Sequence, residues 1–71
     1  MASAKLKVTG MSCGHCQKTV EQALKGVNGV YSAVVDLQDA EAEVDFDDDS
    51  VTTIQLVTAV EKAGYGAKLA G

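Results

Sequence analysis

Two cysteines separated by two residues carry the soft chemistry of this chain. Cys13 and Cys16 lie in the stretch Gly-Met-Ser-Cys-Gly-His-Cys, with His15 between them. Thiolates act as nucleophiles, redox groups and ligands for soft metals. The pair could therefore belong to a dithiol oxidoreductase, a structural zinc site or a site that holds a metal in transit. The tetrapeptide alone does not decide, because protein disulfide isomerases use the same four residues.

The surrounding sequence weighs against three of the available interpretations. A structural zinc site needs four protein ligands, and the chain has no second Cys or His pair at a distance. A thioredoxin-like enzyme is longer, has an aromatic residue before the motif and presents a cis-proline, whereas this chain has Ser12 and no proline. Burial of both thiols as small apolar groups is disfavoured because Cys13 adjoins Ser12 and Gly14. Two thiolates suit Cu(I) better than hard cations.

Length and composition predict one small domain over residues 1–71 with a thin core. The formal charge is −4, and eight of the ten acidic residues lie between Asp36 and Asp49. The chain has no arginine and no lysine cluster with interleaved aromatics, which argues against nucleic acid as the main partner. It has neither a secretory signal nor an apolar run for direct membrane insertion, so we expect a cytoplasmic protein.

The elements that must position the motif begin with a strand and a helix. Alternating apolar and polar residues predict a strand over 4–9. Apolar residues then recur at helical spacing from Cys16 to Val27, so a helix starts inside the motif. Either Gly26 or Gly29 can end this helix. Unpaired backbone N–H groups and the helix dipole should favour the thiolate of Cys16.

The second half of the chain predicts a β-hairpin followed by another helix. Strands over 30–37 and 40–46 are joined by a short connection. Ser50 is the expected N-cap of the second helix, and Gly64 is its expected terminating glycine. The apolar stripe of this helix comprises Ile54, Val57, Val60 and Ala63.

A short closing strand over 67–70 completes the order β-α-β-β-α-β. Two split units with right-handed crossovers place four strands in one antiparallel sheet with both helices on one face. We therefore expect an α+β fold of the ferredoxin-like sandwich type.

The motif in this element order resembles the heavy-metal-associated domain family, and within it the small bacterial copper chaperones. The likeness begins with residues 10–16, between the first strand and the first helix. It extends to 27–30 after that helix, 35–37 in the second strand and 63–65 before the last strand. This combination spans essentially the whole chain and is far more specific than two cysteines at this spacing.

The resemblance implies that Cys13 and Cys16 bind Cu(I) as a near-linear pair of thiolates. Met11 would anchor the loop by packing beneath it rather than coordinate the metal. Tyr65 would limit solvent access and support the negatively charged complex, unless it is simply a core or edge aromatic. For His15 three roles remain open: an exposed imidazole, an influence on the thiolates, or an extra ligand in a copper-bridged homodimer.

The family likeness also implies a copper chaperone and not an enzyme. Cu(I) would pass to a dithiol on the metal-binding domain of a copper-transporting P-type ATPase, because an incoming thiolate can displace one cysteine. Lys18, Lys62 and Lys68 would meet an acidic partner surface near the loop. Two alternatives remain: a metal-binding domain of a larger P-type ATPase, and a carrier of another soft ion such as zinc, cadmium or mercury.

Overall fold

The computed structural model describes residues 2–70, in which four strands and two helices follow the predicted order. The elements are β1 (Ala2–Thr9), α1 (Gly14–Lys25), β2 (Val30–Asp36), β3 (Glu41–Phe46), α2 (Thr53–Lys62) and β4 (Gly66–Leu69). The ends of the predicted domain, Met1 and Gly71, lie outside the described residues. Neither helix is long and apolar enough to cross a membrane in the described part of the chain.

The strands form one antiparallel sheet in the order β2-β3-β1-β4. On the covered face of the sheet, α1 packs mainly against β2, α2 packs mainly against β4, and the helices contact each other. The predicted ferredoxin-like sandwich is confirmed. In this topology the β1–α1 loop and the α2–β4 turn meet at the same end of the sheet, because Thr9 pairs with Gly66.

The core lies between the sheet and the helices and is built from small apolar side chains. It comprises Leu6, Val8, Val20, Leu24, Ala33, Val35, Ala42, Val44, Phe46, Val51, Leu56 and Val60. Strands β1, β2 and β3 contribute alternate residues, because successive side chains of a strand point to opposite faces. The other face of the sheet carries mostly polar and charged side chains.

Helix α1 begins inside the motif, as predicted. Cys13 is its N-cap in extended backbone conformation, and Gly26 is its C-cap. Gly29, the other glycine considered for this end, instead forms the turn into β2 with φ +104. A Cβ at this position would lie 2.6 Å from Cγ2 of Val51, so the turn requires glycine for space as well as for conformation.

The start of α2 differs from the prediction. Its N-cap is Thr52 and not Ser50. The Thr52 hydroxyl accepts the Gln55 N–H at 3.3 Å, and Oε1 of Gln55 accepts the Thr52 N–H at 2.8 Å, which is a capping box. The Ser50 hydroxyl instead donates to Asp47 at 3.1 Å in the preceding turn.

The buried face of α2 also differs from the predicted apolar stripe. Leu56 and Val60 are buried, whereas Ile54 is 75% exposed. Val51 and Leu56 occupy the two positions of a hydrophobic staple around the N-cap, and both are buried. Burial in the core selects the helix face that contains Leu56, and periodicity alone could not distinguish this face from the predicted one.

Candidate metal centre

The two cysteines lie together where β1 passes into α1. Cys13 is exposed at the N-cap, and Cys16 is partly buried in the first helical turn. Their Sγ atoms are 3.5 Å apart. Both thiols are free, since this separation far exceeds the disulfide bond length of about 2.05 Å. The sequence spacing of three residues places both sulfur atoms on one side of the helix start.

The surroundings of Cys16 favour its thiolate. Hydrogen bonding from the Tyr65 hydroxyl is the largest cause, followed by the backbone at Ser12 and the thiol of Cys13. Burial acts in the opposite direction and raises the pKa of Cys16, but the hydrogen bonds outweigh it and lower this pKa from 9.0 to about 6. Cys16 is therefore mostly ionised at neutral pH, and the thiolate is the form that binds soft metal ions.

The end of α2 brings Tyr65 to this site. Gly64 adopts φ +100 immediately after the helix. Its N–H donates to the Glu61 carbonyl at 3.0 Å, and the Tyr65 N–H donates to the Val60 carbonyl at 3.2 Å. These two bonds form a Schellman motif, which ends the helix and orients the residue that follows it. The tyrosine ring packs against the core, and hydrogen bonding to Cys16 raises the pKa of Tyr65.

Thr19 belongs to the site, although no motif in the sequence points to it. Its hydroxyl donates to the His15 carbonyl at 3.0 Å. A hydrogen bond with Thr19 also acts to lower the pKa of Tyr65, in opposition to the effect of Cys16. The signal that could have identified Thr19 is its spacing, because a residue three positions after Cys16 shares its face of the helix.

Met11 and His15 have different environments in the loop. Met11 is partly buried and packs against the core, whereas His15 is exposed in the first turn of α1. Nowhere in residues 2–70 do three His, Cys, Asp or Glu side chains come close enough to hold one metal ion. The arrangement decides neither the role of His15 nor the anchoring role of Met11, and both stay predictions.

The three lysines predicted to meet a partner do not share one face of the protein. Lys18 lies on α1, and Lys62 lies in the last turn of α2. Lys68 lies on β4 opposite Lys7, on the sheet face away from the helices. All of them are exposed. A flat partner that contacts the helix side could reach Lys18 and Lys62 but would leave Lys68 on the far side of the sheet.

Comparison with known proteins decides the family. The sequence model of the heavy-metal-associated domain matches residues 5–66. This chain belongs to that family. Among the family's curated members, copper chaperone CopZ from Staphylococcus saprophyticus is 47% identical over 68 residues, which cover 96% of this chain and 100% of CopZ.

Two solved structures show the same family architecture. A copper binding domain from HMA7, a P-type ATPase, has a TM-score of 0.98 at 38% identity and covers 100% of this chain and 96% of that one. A CopZ metallochaperone has a TM-score of 0.91 at 42% identity and covers 94% of this chain and 100% of its own. Free chaperones and ATPase domains of the heavy-metal-associated family therefore share one fold.

Proposed function

We propose that this chain is a copper(I) chaperone that binds the metal through Cys13 and Cys16. The observation that carries this proposal is the pair of accessible thiols 3.5 Å apart at the loop end of the sandwich. The lowered pKa of Cys16, about 6, supplies one thiolate ligand at neutral pH without the help of a metal. The similarity to CopZ copper chaperones over nearly the whole chain supports copper as the cargo.

The donor set supports Cu(I) over zinc. Soft thiolates suit Cu(I), and a low coordination number leaves positions open for another ligand. Structural zinc sites take four protein ligands in a closed tetrahedron. Among residues 2–70, no group of three His, Cys, Asp or Glu side chains is arranged to hold a metal ion. The small number of protein ligands argues against zinc, and it also leaves room for a ligand from a partner, so that the copper can be transferred.

Transfer would proceed by thiolate exchange and without redox chemistry. A thiolate of the partner forms a bond to copper, which gives a three-coordinate intermediate, and a bond to one of the chaperone's cysteines then breaks. The exposed sulfur of Cys13 is the one that an incoming group reaches more easily, whereas Cys16 is partly buried. Copper remains Cu(I) throughout, and the released thiolate takes a proton from solvent.

Met11 and Tyr65 would support this exchange without acting as copper ligands. Met11 packs against the core and would hold the loop while the ligands change. The Tyr65 hydroxyl would donate to the sulfur of Cys16 and offset the negative charge of the complex. His15, exposed at the first turn, would contact metal only when two copies share copper.

The partner would be a dithiol on the metal-binding domain of a copper-transporting P-type ATPase, reached from the cytoplasm. Lys18 and Lys62 lie on the two helices and would steer an acidic partner surface toward the site. Because such contacts act mainly on the encounter rate, their effect should decline as ionic strength rises. The chain would act as a carrier and not as an enzyme.

A second candidate function is that of a metal-binding domain within a P-type ATPase. The TM-score of 0.98 to the HMA7 copper binding domain favours it specifically. In that case the chain would accept copper from a chaperone rather than deliver it. The sequence of the complete gene distinguishes these functions, because an ATPase domain would be encoded with membrane-spanning and nucleotide-binding segments.

The decisive experiment is competition for metal under reducing conditions, against Cu(I) and Zn²⁺ chelators of known affinity. We expect one Cu(I) per monomer, and loss of binding in Cys13→Ser and in Cys16→Ser. Ser12→Ala is the matched control, because it changes a neighbouring side chain in the same loop and leaves both thiols in place. A preference for zinc, or Cu(I) binding that survives both cysteine substitutions, would contradict the proposal.

The oxidoreductase alternative has a separate readout. A redox catalyst should reduce a test disulfide with multiple turnovers when a reductant is supplied, whereas a carrier should react once at most. We expect no turnover above that of a free dithiol. Sustained turnover that depends on Cys16 would favour the enzyme instead.

A further inference from the structure

The sheet face away from the helices has an ordered pattern of charge. The strand registers place four charged residues of the described chain in one row across the sheet, Lys68, Lys7, Glu41 and Asp36. In the adjacent row, Lys5 pairs with Glu43. The β4–β1 half of the face is therefore basic and the β3–β2 half is acidic.

This pattern is complementary to itself under one symmetry operation. A two-fold axis parallel to the strands, above the middle of the sheet, stacks two copies face to face and exchanges their left and right halves. Each basic position then faces an acidic one: Lys68 faces Asp36 of the second copy, Lys7 faces Glu41 and Lys5 faces Glu43. We infer that this face binds a second copy of the chain in a two-fold, isologous arrangement.

The charges at the two ends of the row lack an oppositely charged cross-strand neighbour in their own chain, which favours the binding of a second copy. Lys7 and Glu41 already form an ion pair at 3.6 Å inside the chain. Lys68 instead has Lys7 as its cross-strand neighbour, and Asp36 has Glu41 as its neighbour. Like charges directly opposite each other in a sheet are unfavourable. The second copy places a charge of opposite sign over each of these two ends.

The same pattern argues against a partner with a single sign of charge. A nucleic acid or an anionic membrane would be repelled by the acidic half, and a basic surface would be repelled by the other half. A second copy supplies both signs in the required order. Electrostatic complementarity of this kind fixes the register of an interface more than it contributes affinity.

The size of the face makes this association weak. Four strands about 4.8 Å apart and about six residues long cover about 400 Å² on each partner. The total of about 800 Å² is smaller than the 1,200–2,000 Å² of stable complexes. Because the charges are exposed, salt should also screen them. We therefore expect a dimer that forms at high protein concentration and low ionic strength.

The arrangement leaves the metal centre accessible. The axis runs parallel to the strands, so both loops that carry Cys13 and Cys16 lie at the same end of the dimer and away from the interface. The association should then occur without copper and without the cysteines, which distinguishes it from a copper-bridged dimer.

Sedimentation equilibrium of the reduced, metal-free protein tests this inference. At low ionic strength and high concentration we expect an average mass above the 7.3 kDa of the monomer, and a return to the monomer at high salt. Lys68→Glu should weaken dimerisation at least about tenfold, because two symmetry-related contacts become repulsive. The same substitution should not lower the melting temperature, because it removes the like-charge pair with Lys7.

The second arm of the test is rescue by charge exchange. The double variant Lys68→Glu, Asp36→Lys should dimerise again. The Asp36 carboxylate accepts the backbone N–H of Gln38 at 2.9 Å and of Asp39 at 3.2 Å, and a lysine removes both acceptors. Asp36→Asn, as a single change in the parent chain, is therefore a separate test. It keeps an acceptor oxygen for this turn but removes the charge that faces Lys68 of the second copy, so it should weaken dimerisation.

Lys62→Glu is the matched control, since it makes the same change of net charge on α2, away from the sheet face. It should leave the dimer intact. A protein that stays monomeric at low ionic strength would overturn the inference. So would equal effects of Lys62→Glu and Lys68→Glu, because net charge and not the pattern would then govern association.

Discussion

Removal of the Tyr65 hydroxyl should raise the pKa of Cys16. Tyr65→Phe keeps the ring, which packs against the core and lies beside Gly10, where a Cβ would be 3.5 Å from Cδ1 of Tyr65. The fold should therefore be unchanged. The variant loses the hydrogen bond that contributes most to lowering the pKa of Cys16 from 9.0 to about 6, together with the hydrogen bond between Tyr65 and Thr19.

The magnitude follows from the order of the causes. Four hydrogen bonds lower the pKa of Cys16, and burial opposes them, so the largest of the four accounts for at least about a quarter of the difference. The pKa of the variant should therefore be about one pH unit higher, near 7 or above. At pH 6 the ionised fraction of Cys16 should fall from about one half to about one tenth.

The assay measures the rate of Cys16 alkylation in the metal-free protein as a function of pH. The ultraviolet absorbance of the thiolate gives a second titration curve for the same group. Cys13→Ser in both the parent and the variant leaves a single thiol to titrate. Because the Cys13 thiol itself lowers the pKa of Cys16, the test is the difference between the two midpoints in this shared background and not their absolute values. The midpoint is the quantity to compare, because a thiolate of higher pKa is intrinsically more nucleophilic and the limiting rate also changes.

Tyr31→Phe is the matched control, because Tyr31 is 62% exposed on β2 and the substitution removes the same hydroxyl group. It should leave the midpoint unchanged. An unchanged midpoint in Tyr65→Phe would refute the reasoning and would leave the backbone at Ser12 and the start of α1 as the main cause of the lowered pKa.

Three other predictions test the packing and the titration. Gly29→Ala should lower the free energy of unfolding by more than about 2 kcal/mol in urea denaturation, because the residue has positive φ and its new Cβ would lie 2.6 Å from Cγ2 of Val51. Gly64→Ala should lower it by only about 1 kcal/mol, because this residue also has positive φ but its Cβ would meet open space. Leu56→Ala should cost about 2–5 kcal/mol and Ile54→Ala less than about 0.5 kcal/mol, and equal costs would contradict the observed helix face. The reduced, metal-free protein should become more stable relative to Cys16→Ser as the pH rises from about 6 toward 9.0, and this gain should be absent below pH 6. The reason is that in this pH range the Cys16 thiol is protonated in the unfolded chain but ionised in the folded one. The measurement is thermal unfolding of both proteins as a function of pH, and a difference in stability that does not change with pH would contradict the prediction.

The topology and the location of the thiols were predictable from the sequence for local reasons. Period-two alternation marks β1 and β3, and helical spacing from Cys16 marks α1, so the order of elements follows from patterns within a few residues of one another. The motif itself lies between two such elements. Its place at a helix N-terminus, and hence a bias toward the thiolate, follows from the same local patterns.

The contacts of the site were only partly predictable. The family likeness placed Tyr65 near the thiols, but its position beside Cys16 depends on the turn at Gly64 and on the pairing of β4 with β1. Thr19 enters through a hydrogen bond with Tyr65, which is distant from it in the sequence. Such contacts form only when both helices pack on the sheet.

The sequence by itself determined that two thiols would stand at the start of a helix in a chain of the heavy-metal-associated type, because spacing and element order are local properties. The tertiary structure decided that α2 buries Leu56 and leaves Ile54 in solvent, and that its N-cap is Thr52. The apolar residues of α2 fit more than one helical face. The choice between those faces depends on the free energy gained by burial against the sheet, which is set by residues far away in the chain.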